Sequence, residues 1–99
     1  MGKRRTQKEI EEYCNFLSAH IASKEFGMAI NYFESLNSSL KEAEKYISGK
    51  DIEEINELKL PLANALHHTY NSSEEKQQSC GECFEDLFSK IKEVFNIDK

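Results

Sequence analysis

The sequence predicts an all-α protein, a small antiparallel bundle of four helices. Three observations carry this: apolar residues recur at steps of three and four in four separate segments, no segment alternates as a strand does, and the connectors are short. At 99 residues the chain has room for one core and not two. One acidic domain over residues 9–99 is therefore expected, preceded by a basic flexible tail at residues 1–8.

The first segment opens on "TQKE", where Thr6 and Glu9 suit a capping box, and places Ile10, Tyr13, Cys14, Leu17 and Ile21 on one stripe as far as about residue 23. In the second, Ala29, Phe33, Leu36, Leu40, Ala43 and Ile47 repeat at alternating steps, and Gly49 stands where a helix would stop. The third starts at Asp51 with Glu54 as box partner and turns Ile52, Ile55, Leu58 or Leu62, and Leu66 inward. Pro61 lies ten residues into it. A proline there removes a backbone donor and costs about 3 kcal/mol, so a kink or break is expected. The fourth aligns Cys80, Phe84, Leu87, Ile91 and Val94, widened by Cys83, Phe88 and Phe95; Ser79 with Glu82, or Ser72 with Glu75, would cap it.

The run from Tyr13 through Phe16, His20, Phe26, Ala29 and Phe33 resembles one tetratricopeptide helical hairpin over about a third of the chain. Leu17 and Leu36 stand where that repeat has small residues. Ile47 and Lys50 stand where a second copy would carry an aromatic and a leucine-like residue. The resemblance therefore implies a helix pair packed through Ala29, and no function.

Charge is unevenly spread. Lys3, Arg4, Arg5 and Lys8 occupy the first eight residues with no acid among them, which leaves nine basic against 18 acidic residues in the rest. An acidic body repels nucleic acid and steers towards basic partners. Contact with nucleic acid through the basic tail is the minor alternative. No apolar run follows the N-terminal charges and none elsewhere would span a bilayer, so the expectation is a cytoplasmic protein without membrane contact. Three cysteines make an odd, sparse set, which fits a reducing compartment.

Chemistry concentrates in "HHTYNSSEEKQQSCGEC", residues 67–83. Cys80 and Cys83 have the spacing of a thiolate pair, Gly81 would permit a turn between them, and His67 or His68, with Cys14 or His20, would complete four zinc ligands. A single knuckle is a weak metal signal, and the same cysteines fall on the apolar stripe of a helix. A structural metal site or a thiol sensor is thus an alternative reading, while a thioredoxin-like motif is excluded for want of strands. Histidine phosphotransfer domains carry a lysine and a small residue after their histidine; here Thr69, Tyr70 and Asn71 follow. No glycine-rich phosphate loop is present, and the carboxylates run as solvated helix faces.

By elimination the sequence predicts no enzyme and no cofactor, but a protein-binding module: an inhibitor, an immunity or antitoxin-type protein, or a small regulatory adaptor. Aromatic residues at stripe margins, Tyr13, Phe16, Tyr32, Tyr46 and Phe88, suit an interface. Tyr32, Phe84, Phe88 and Phe95 are the predicted partner contacts. The partner is a basic protein or a second copy in a homodimer.

Overall fold

A computed structural model describes residues 2–71 and 77–95. It contains four helices, α1 (Gly2–Ala22), α2 (Phe26–Ala43), α3 (Gly49–Asn71) and α4 (Gln77–Phe95). Each helix packs mainly on its chain neighbour, α1 on α2 and α3 on α4; smaller contacts of α2 with α3 and of α1 with α4 close the ring. With connectors this short, consecutive helices run antiparallel. The longest dimension, 40 Å, is set by the helix axes.

The stripes read from the sequence meet at the centre. Ile10, Cys14, Leu17 and Ile21 of α1, and Ala29, Phe33, Leu36, Leu40 and Ala43 of α2, are buried, as are Ile55, Leu62, Ala65 and Leu66 of α3. From α4 come Cys80, Phe84, Leu87, Ile91 and Phe95, so Phe95 rather than Val94 closes that stripe. Ala29 is fully buried, as the predicted α1 and α2 packing requires. Each large aliphatic side chain buried this way contributes about 1.5–3 kcal/mol.

Helix ends depart from the sequence reading in instructive ways. α1 begins at Gly2 rather than at Thr6, which lies inside the helix and is buried. Basic residues Arg4, Arg5 and Lys8 therefore sit on helical turns, with Arg5 3.7 Å from Glu9 one turn on. At its other end α1 stops as a Schellman motif: Lys24 N–H donates to the Ile21 carbonyl and Glu25 N–H to that of His20. Lys24 takes the left-handed conformation this motif demands, φ 64°, where glycine is the usual occupant.

α2 ends at Ala43 and tightens into one 3-10 turn over Glu44–Tyr46. Gly49 does not stop it; Gly49 is instead the first residue of α3. The cap of α3 is Ser48, whose Oγ accepts the Asp51 N–H at 3.1 Å, so the predicted cap Asp51 is the third residue of the helix. α3 then runs through Pro61 without a break. Pro61 is on the exposed side, as is Glu57, whose carbonyl loses its donor, so water can take the missing bond. In α4, Gly81 is an interior helical residue and not a turn; the Ser79 and Glu82 box does not start the helix, already formed at Gln77, and Ser72 and Glu75 lie outside the described residues.

Two lysines join the helices. Lys90 of α4 pairs with Glu54 and Asp51 of α3 and with Glu93 one turn on, so its ammonium is held above the ordinary lysine range, first by the hydrogen bond to Glu54. Lys59 of α3 donates to Asn37 Oδ1 of α2 at 2.6 Å; there burial pulls the amine below its usual range.

Two substitutions test the backbone geometry. A Cβ at Gly81 would meet nothing within 4 Å, so Gly81→Ala gains helix propensity at no steric cost and should stabilise by about 1 kcal/mol in urea titration. Lys24→Gly should gain about 1 kcal/mol by relieving the left-handed residue; destabilisation instead would show that Lys24 is not strained there.

Candidate protein-interaction surface

Tyr13, Phe16 and His20 are spaced three and four apart on α1, so they form a second stripe beside the buried one. α2 inserts Tyr32 into that stripe. The Tyr32 ring lies 5.1 Å from Phe16 and 6.3 Å from Tyr13, both tilted, and stacks on His20 at 5.2 Å with 9° between planes. His20 is fixed in turn: its Nδ1 is 2.7 Å from Glu25 Oε1, just past the connector. The ordered aromatic cluster that results is only half covered. Phe16 is 46% exposed and Met28, one turn before Tyr32, is 45% exposed.

The four predicted contact residues separate. Tyr32 belongs to this cluster. Phe84 and Phe95, by contrast, are 3% and 6% exposed; they belong to the core and present no surface to a partner. Phe88 is half-buried against Phe84 at 5.3 Å, with the Lys92 ammonium 4.8 Å above its ring. Lys90 reaches α3, and Phe88, two residues earlier, lies on the opposite flank of α4, away from α3. It is therefore not part of the α3 side of the bundle.

The residues of the alternative metal or thiol reading do not assemble. Cys80 is fully buried in the core, Cys83 is half-buried beside it, and His67 and His68 are exposed on α3. Among the described residues no three His, Cys, Asp or Glu side chains come together as ligands would. Cys14 is also in the core; desolvation, helped by the nearby Glu11 carboxylate, pushes its thiol up to about 12.

Charge divides by hairpin. Residues 2–43 hold six basic and six acidic side chains, whereas residues 44–99 hold seven and twelve. The aromatic cluster thus belongs to an electrically balanced half, and the acidity to α3, α4 and the residues around them. A groove of about 440 Å³ between α2 and α3 is lined by Glu34, Asn37, Ser38, Lys41, Glu44, Asn56 and Lys59, with no aromatic wall.

Comparison with protein-family models, with curated proteins and with solved structures finds no match to this chain. No helix among the described residues is long and apolar enough to cross a membrane. What sequence reasoning missed is Met28 and His20 as a stacking ring on this surface, and, on α3, Leu60, which is 66% exposed. The spacing of Tyr13, Phe16 and His20, offset from the buried stripe, is the signal that would have found the cluster.

The cysteine environments predict that a disulfide-exchange reagent labels Cys83 first and leaves Cys14 and Cys80 untouched until the protein is denatured. Equal reaction of all three in the native state would contradict the burial. The raised Cys14 thiol also fixes a pH dependence. Its unfolded form ionises near 9.0 and its folded form near 12, so its contribution is complete below pH 9 and is lost as pH rises between those values. Cys14→Ala should flatten that part of the stability profile.

Proposed function

We propose that this protein is a non-catalytic protein-binding module whose contact surface is the outer face of α1 and α2. The half-exposed aromatic cluster carries the reading. Phe16 and Met28 leave large apolar areas in water beside rings already fixed by stacking, so little side-chain entropy remains to be lost on binding. Rigid aromatic side chains of this kind supply most of the energy of typical protein interfaces. The acidic second hairpin provides a field that disfavours nucleic acid.

Its test compares the full chain with Phe16→Ser and with Leu60→Ser, each immobilised, by quantitative mass spectrometry of the retained proteins. Leu60 is the more exposed of the two but stands on α3, away from the cluster. Proteins retained by the natural chain and by Leu60→Ser, and lost with Phe16→Ser, are the expected result. Identical retention by all three would remove the α1 and α2 face from consideration.

A further inference from the structure

We propose that the occupant of the α1 and α2 face is a second copy of this chain, in a symmetric homodimer with the acidic hairpins on its outer sides. The inference rests on the reading of that face as a binding surface and adds who binds it. A copy approaching through α3 and α4 would bring helices with eight acidic and four basic residues against the same set, with Lys90 already engaged by Asp51, Glu54 and Glu93. Approach through residues 2–43 brings together two hairpins that each hold six basic and six acidic residues. A strongly basic foreign segment is drawn the other way, to the acidic hairpin, and gains little from a balanced one.

The form of the face also suits a twofold. A twofold interface is self-complementary: each residue meets its counterpart or a residue that meets it in return. A patch made of rings and a flexible thioether suits this, since aromatic faces pack on aromatic faces and methionine adapts to what it meets. Two helices of about 20 residues side by side offer a footprint of roughly 600 Å², somewhat below the ~800 Å² per partner of a standard interface, which suits a reversible dimer. On one rim Glu9 is already paired with Arg5 at 3.7 Å.

Sedimentation velocity and equilibrium on the full chain, from about 1 µM to 1 mM, test the proposal. The expected result is a reversible monomer and dimer equilibrium. Phe16→Ser should weaken it about thirtyfold, the effect of removing an aromatic anchor, and Met28→Ser less. Leu60→Ser should leave it unchanged. Because each copy carries a net charge of −5, added salt should strengthen the dimer. Thermal unfolding of each variant separates lost association from lost fold, and the exposure of Phe16 and Met28 predicts that both variants stay folded.

A monomer throughout this range overturns the proposal, as does a dimer insensitive to Phe16→Ser and Met28→Ser. If the chain is monomeric but a foreign protein is lost with Phe16→Ser, the binding surface stands and only its occupant is wrong. If retention is insensitive as well, both readings fall.

Discussion

The helices of this protein exist because their apolar stripes cover one another. Helices of about 20 residues are marginal in water on their own, and these contain residues that do not favour helix, among them Gly27, Gly81, Pro61 and the serines of α2. Burial of Leu17, Leu36, Leu62, Leu66, Leu87 and Ile91 at the centre supplies what propensity does not. The same requirement places Cys14 and Cys80 in the core, where they serve as small apolar residues. For Cys14 that burial also pushes the thiol far above its ordinary pKa, so it is neither a ready nucleophile nor a ready ligand.

Around that core the polar links are unequal. Lys90 sits among three carboxylates and fastens α4 to α3, so the acidic hairpin carries its own counter-charge at the seam. Lys59 is partly desolvated and meets an amide, not a carboxylate, which gives the join of α2 to α3 its direction without a strong ion pair. The two hairpins are thus each well knit and more lightly joined. Aromatic surface collects on one of them and negative charge on the other, so the two sides of one small bundle differ in surface chemistry.

The aromatic cluster shows how a surface can be ordered without being covered. His20 occupies one face of Tyr32, Glu25 holds His20, and the Schellman turn at Lys24 sets where Glu25 stands. A backbone motif at the end of α1 therefore reaches, through two side chains, to the ring beside Phe16. The consequence is a rigid apolar patch next to a balanced set of charges, a combination that suits association with another folded surface.

The sequence by itself determined the number of helices and which residues face the core, because a period of 3.6 residues ties burial to spacing whatever the neighbours are. Stripe positions such as Ile10, Leu17, Leu36, Leu62 and Leu87 were legible for this reason. Local polar competition was legible only in kind: Ser48, Asp51 and Gly49 all suit the start of a helix, and which one caps depends on where the preceding chain arrives. Tertiary structure alone decided that Pro61 interrupts nothing, since it falls on the exposed side. It also decided that Phe84 and Phe95 are core while Phe16 is surface. All three are aromatic residues on amphipathic helices, and the difference lies in whether a neighbouring helix stands over that flank, which spacing within one helix does not encode.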